Sequence, residues 1–194
     1  SSRLFVPSLP HVSDAAQAAF TNFKGVAVFG IRTGAKTESF QIPRNLPLGP
    51  LQSVLQVKVA RVESLRPGVT RECRWGNKSY QCSTWAETIE AGEGTTTLAS
   101  FASGTPAIVQ KERRFYVGVW PTRELCLDTV SHALREAGLD AALLHEDVRI
   151  RRRGRIAFAF NFGTESQSVP VAPARGYLLG GQQIAPRNFS AWRE

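Results

Sequence analysis

Four apolar residues, Val26-Ala27-Val28-Phe29, lie between Gly25 and Gly30, and Ile31, Arg32, Thr33 and Gly34 follow. A run with no wet face constrains this chain more than any other stretch. It predicts a central strand in a sheet covered on both sides. Residues 13–22 precede it with a helical pattern: Ser13 stands at the cap, and Ala16, Ala19, Phe20 and Phe23 recur at helical spacing. Alanine three residues after Ser13 rules out a full capping box. Residues 3–9 read as a strand with Pro7 towards its end. Strand, helix and strand in that order predict a right-handed parallel crossover. The chain leaves the central strand through Arg32, Thr33 and Gly34, where an α/β protein places its ligand-facing loop.

Residues 35–50 are broken by Pro43, Pro47, Gly49 and Pro50 and read as a long loop. A short helix is expected around 50–55 and a strand at 57–62. Residues 71–84 read as a hairpin turning at Asn77-Lys78, which sets Trp75 opposite Tyr80 and Cys73 opposite Cys82. Opposed cysteines can reach disulfide geometry at a non-hydrogen-bonded pair, but two small buried thiols in a reducing compartment are the favoured reading, since disulfides are rare there. An edge strand follows at 85–89, with Glu87 and Glu90 on its exposed side. Further strands are expected at 95–101, 107–109 and 114–120. Thr122 then caps a helix whose buried stripe is Leu127, Val130, Leu134 and Ala137, closed by Gly138. The composition changes near residue 145. Residues 148–162 alternate cleanly, with Ile156, Phe158, Phe160 and Phe162 on one face and a tight turn at Arg152-Arg153-Gly154. Weaker strand signals lie at 167–171, 177–179 and 183–185. The pattern divides the chain into an α/β part, 1–145, and a small all-β part, 146–194.

The 194 residues are 42% apolar, enough for a real core, and no apolar run approaches the roughly twenty residues of a membrane span. No basic start with an apolar core marks a signal peptide, so a cytoplasmic location is expected. The net charge of +8 admits a basic nucleic-acid- or anion-binding module. Much of that excess is local, in Arg149, Arg151, Arg152, Arg153 and Arg155 around one hairpin turn. These arginines read as a solvated turn or as an anion or subunit contact made by guanidinium forks. The three histidines lack metal-ligand spacing, there is no phosphate-binding glycine loop, and no serine sits in a nucleophile elbow. Neither cofactor nor metal is expected. Glu87, Glu90 and Glu93 cluster without a strand-end partner and are not expected to form a catalytic pair. His132 and Asp128, four residues apart on the helix, read as a surface pair, and Cys126 as core packing.

Several stretches together carry a resemblance. They are Leu4-Phe-Val-Pro-Ser-Leu9, Phe29-Gly-Ile-Arg-Thr-Gly34, Pro47-Leu-Gly-Pro-Leu51, Trp85-Ala-Glu87, Gly104-Thr-Pro-Ala107, Phe115-Tyr-Val-Gly118, Glu136-Ala-Gly138, Phe158-Ala-Phe-Asn-Phe162 and Leu178-Leu-Gly180. In that order they resemble the C-terminal, non-catalytic part of the glycoside hydrolase family 42 β-galactosidases. The resemblance implies a missing (β/α)₈ barrel that carries both catalytic glutamates of a retaining hydrolase of terminal β-galactosides. It implies for residues 1–145 a trimerisation domain resembling class I glutamine amidotransferases, a flavodoxin-like sheet lacking its first strand and helix, and for 146–194 a small β domain. It also implies a homotrimer in which the loop bearing Arg32, Thr33, Lys36, Phe40 and Arg44 walls a neighbour's substrate cleft. Cys73, Cys82 and Cys126 lie outside any nucleophile elbow, so amidotransferase chemistry is not expected.

Overall fold

The Val26–Phe29 run is the second strand from the edge of a seven-stranded sheet, with all four residues buried. The structure is a computed structural model that describes residues 2–139, 142–170 and 173–194. The chain divides into two units, Ser1–Asp140 and Ala141–Glu194. The first contains β1 (Arg3–Val6), α1 (Asp14–Asn22), β2 (Val26–Phe29), α2 (Gln52–Leu55), β3 (Val57–Ser64), β4 (Arg71–Trp75), β5 (Lys78–Cys82), β6 (Trp85–Ala91), β7 (Thr96–Phe101), β8 (Pro106–Lys111), β9 (Arg114–Val117) and α3 (Arg123–Glu136). The main sheet runs β1-β2-β9-β8-β7-β4-β5, and β3 and β6 form a separate antiparallel ribbon.

β2 lies parallel to both β1 and β9, and the other pairings of this sheet are antiparallel. The reason is connection length. β8 reaches β9 through Glu112 and Arg113 alone, and so short a link can only form a hairpin. The result is a mixed sheet with few helices. On one face, α1 packs Phe20 edge-on against Phe29 at 5.2 Å, beside Leu48, Leu51, Leu55 and the ribbon residues Val57, Val59 and Ile89. The Ser13 hydroxyl accepts from the Ala16 amide at the helix start, 3.3 Å away. On the other face lies α3, its Leu125 and Ala133 in one cluster with Val26, Val28 and Phe115.

Three local expectations are corrected. The buried stripe of α3 is Leu125, Thr129 and Ala133, while Leu127, Val130 and Leu134 are half-buried. A buried threonine fits because its hydroxyl donates to the Leu125 carbonyl at 2.7 Å, so no polar group is left unpaired. The hairpin turns at Gly76-Asn77 instead of Asn77-Lys78. Trp75 pairs with Lys78, Cys73 with Tyr80 and Arg71 with Cys82. Gly76 has φ +57°, the conformation that the first position of a type II′ turn requires and that glycine adopts freely. Cys73 and Cys82 are therefore diagonal neighbours, and both are buried free thiols. Their mutual hydrogen bond and burial push the Cys73 thiol up. Finally, Glu87 is buried rather than exposed, at 1% of its free accessibility.

The second unit contains β10 (Val148–Arg153), β11 (Ile156–Asn161), β12 (Gln167–Ser168), β13 (Tyr177–Leu179), β14 (Gln183–Ile184) and β15 (Phe189–Arg193). Its sheet runs β10-β11-β15-β13, beside a small β12–β14 ladder. Val171, expected in a strand, lies outside the described residues. β15 carried no signal in the sequence reading, yet it pairs with β11 and β13. The alternation in β11 holds, and the side that is buried is the small one: Ala157 and Ala159 join Trp192, Val169 and Ile184 in the core. Phe158 and Phe160 are half-buried and Phe162 is 68% exposed.

Candidate functional site

The carboxyl ends of β2 and β9 meet the start of β6, and the geometry there is built from the exit of β2. Gly30 approaches β1 so closely that a Cβ would sit 2.0 Å from the Pro7 carbonyl, so glycine alone fits. The next turn places Arg32 at φ +63°, a left-handed conformation that costs an arginine about 1–3 kcal/mol and persists only where its surroundings enforce it. They do. The Arg32 amide donates to Glu87 Oε1 at 3.1 Å. The Thr33 hydroxyl donates to the Gly30 carbonyl at 2.8 Å, and the Gly34 amide to the Leu9 carbonyl at 2.9 Å.

Glu87 is the hub. Trp85 Nε1 donates to the same Oε1 at 2.9 Å, and the Tyr116 hydroxyl donates to Oε2 at 2.6 Å. Burying a carboxylate is costly unless its oxygens are satisfied, and here three donors from three segments converge on it. Burial, with the adjacent Glu87 carboxylate, pushes the Tyr116 hydroxyl well above its ordinary range, so it remains a donor at neutral pH. The Arg32 guanidinium lies over the Trp85 ring, 5.5 Å from its centroid, and the residue is exposed. A buried anion thus braces both the backbone of Arg32 and the ring on which its side chain rests. Trp85 and Glu87, two apart on a strand and hence on one face, were the available sequence signal. Tyr116 carried no such signal.

The structure sorts the predicted loop residues. Arg32 stands at the root of the loop. Thr33 is fully buried, so its side chain walls nothing. The Lys36 amide donates to the Pro10 carbonyl at 2.8 Å. Phe40 is presented at the tip, 68% exposed, on a turn closed by the Thr37 amide donating to the Gln41 carbonyl at 2.8 Å. Ile42 beside it is 63% exposed, and Arg44 is exposed.

An apolar cavity of about 320 Å³ opens where β1, β2 and β9 end against α3, between Phe5, Val28, Val117, Trp120 and Val130. Cys126 lines it and is exposed rather than packed in the core. The expected His132–Asp128 pair does not form. His132 turns inward, edge-on to Trp75 at 5.3 Å and to Phe115 at 5.7 Å, and burial lowers its pKa. Asp128 instead accepts from Lys78 and Tyr80.

In the second unit, register places Arg149, Arg151 and Arg153 opposite Phe160, Phe158 and Ile156, on the aromatic face of the sheet. Phe189 joins that face 5.8 Å from Phe160. Arg152 pairs with Glu194 at 2.7 Å, and the Arg155 carbonyl accepts from the Glu194 amide at 3.0 Å. Among the described residues no cluster of His, Cys, Asp and Glu could hold a metal ion, and no helix is long and apolar enough to cross a membrane.

Residues 2–140 match the family model described as the β-galactosidase trimerisation domain. Over 189 residues the chain is 40% identical to β-galactosidase BgaA of a Thermus species and to β-galactosidase of Thermus thermophilus, covering 97% of this chain and 29% of each relative. Among solved structures, β-galactosidase from the psychrophilic Marinomonas ef1 superposes with a TM-score of 0.90 at 27% identity, over 99% of this chain and 29% of that one. The chain therefore spans less than a third of the relatives it matches.

Proposed function

Because the chain belongs to the β-galactosidase trimerisation domain family, we propose that it is the assembly and cleft-framing region of a longer cytoplasmic β-galactosidase that hydrolyses terminal β-D-galactosides. The catalytic carboxylates belong, on this reading, to the portion of the enzyme that these 194 residues do not span. The family match favours this role over the basic nucleic-acid-binding module that charge alone admitted. The flavodoxin-like parentage of the sheet forms part of the same proposal.

The observation that supports framing is the braced loop. A loop meant to contact a neighbour must keep its shape before the neighbour arrives, since ordering it on binding would weaken association. Glu87 supplies that rigidity at the root. Lys36, Phe40 and Arg44 are the residues proposed to flank a neighbour's cleft, with Phe40 the apolar contact. The arginine row of β10 is proposed as a further anion or subunit contact.

Light scattering of the chain over a range of concentrations tests the assembly role. A molar mass of three times 21.3 kDa is expected. A monomer at every concentration overturns the proposal that this region assembles by itself.

A further inference from the structure

We infer that Arg32 is the cationic anchor of a contact between copies of this chain, its guanidinium taking a carboxylate from a different surface of the neighbouring copy. Glu87, Trp85 and Tyr116 are its positioning residues. The inference rests on the self-association reading and names the chemistry of the contact.

Three observations meet at this residue. The backbone at φ +63° favours glycine, and an arginine there carries a conformational cost. Its side chain adds no hydrogen bond to Glu87, because the backbone amide, not the guanidinium, bonds to that carboxylate. The guanidinium itself lies over the Trp85 ring, 5.5 Å from its centroid, and makes no ion pair among the described residues. The residue is exposed, so its N–H groups remain open to an incoming carboxylate, which a guanidinium can fork. The fold has thus fixed where a cation stands without supplying its anion.

Symmetry identifies the occupant. A trimer closes through head-to-tail contacts, in which one surface of a copy meets a different surface of the next. A cation on the first surface then faces no copy of itself. With a net charge of +8, identical copies repel at long range, and a paired charge at the contact offsets that repulsion locally. A two-fold contact centred on Arg32 would instead set like charges together.

Sedimentation and light scattering on the chain at several salt concentrations provide the test. Arg32→Ala is expected to weaken association about tenfold or more and to flatten its salt dependence. Arg32→Lys, which keeps the charge and loses the fork, falls between. Arg32→Gly separates the two roles of this position. It relieves the left-handed backbone, so its melting temperature is expected to hold or rise while association is lost. Glu87→Gln is expected to weaken association less than Arg32→Ala does. If the wild-type chain forms trimers and both Arg32→Ala and Arg32→Gly assemble with its affinity and salt slope, the anchor is overturned and self-association stands. A wild-type monomer at every concentration and salt overturns both.

Discussion

Two tyrosine–carboxylate pairs are anchored on the main sheet, one on the interior strand β9 and one on the edge strand β5, and they differ in one respect that matters. Tyr116 donates to Glu87 at 2.6 Å and Tyr80 to Asp128 at 2.5 Å. Glu87 is sealed, and its partners are a phenol, an indole and a backbone amide, none of them charged. Asp128 is one-third exposed and carries Lys78 Nζ at 2.8 Å. The buried anion commits three segments to one arrangement, because any opening strands its donors. The exposed one joins β5 to α3 through charges that water can replace. The same bond is thus a structural lock in one place and an adjustable contact in the other.

The contrast is sharpest at the carboxylates themselves. Glu87→Ala leaves three donors without an acceptor and should cost about 3–5 kcal/mol in denaturant unfolding. A loss below about 1 kcal/mol would erase the distinction drawn here. At the phenols, Tyr116→Phe should cost about 1.5–3 kcal/mol, and Tyr80→Phe, whose acceptor keeps Lys78 and water, about 1 kcal/mol.

Acid titration separates a lock from a contact in another way. Hydrogen bonds from Lys78 and Tyr80 hold the Asp128 carboxyl below its ordinary range. Its contribution to stability is therefore present above the unfolded value of about 3.9 and drains as pH falls through the lower folded value. Asp128→Asn should remove that part of the acid limb. His132 acts earlier in the descent. Burial lowers its folded pKa, so the unfolded chain takes up the proton first, and stability falls as pH drops below about 6.5 towards the folded value. Thermal melts of His132→Gln between pH 7 and 5 should lack that decline. The smallest effect belongs to Lys78→Ala, expected within about 1 kcal/mol and fading in high salt.

How much of this was readable beforehand depends on the range of the interaction. The crossover from β1 through α1 to β2 was legible because its signals are local: a cap at Ser13, a helical stripe, and a run apolar on both faces. The exit at Arg32 was legible for the same reason. The hairpin was legible as a hairpin, yet its register was not, since Gly76-Asn77 and Asn77-Lys78 both turn a chain and the positive φ at Gly76 decides between them. Glu87 was misplaced because a carboxylate in an alternating strand reads as solvent-facing. Its burial depends on Tyr116, 29 residues further along, and on Arg32, 55 residues before it. In α3, counting apolar residues rotated the buried stripe, because a threonine that bonds its own helix packs like an apolar side chain.

By itself the sequence determined that a buried strand follows a capped helix, that a loop leaves it at Arg32, and that a strongly alternating β region ends the chain. These rest on contacts between residues near in sequence, where spacing is geometry. Only the tertiary structure decided that a carboxylate from β6 braces that loop and that α3 turns Leu125, Thr129 and Ala133 to the sheet. It also decided that the alanine side of β11 is covered while its phenylalanines face outward. Each of these depends on which distant surface arrives to fill a space or satisfy a donor, and spacing along the chain carries no record of that.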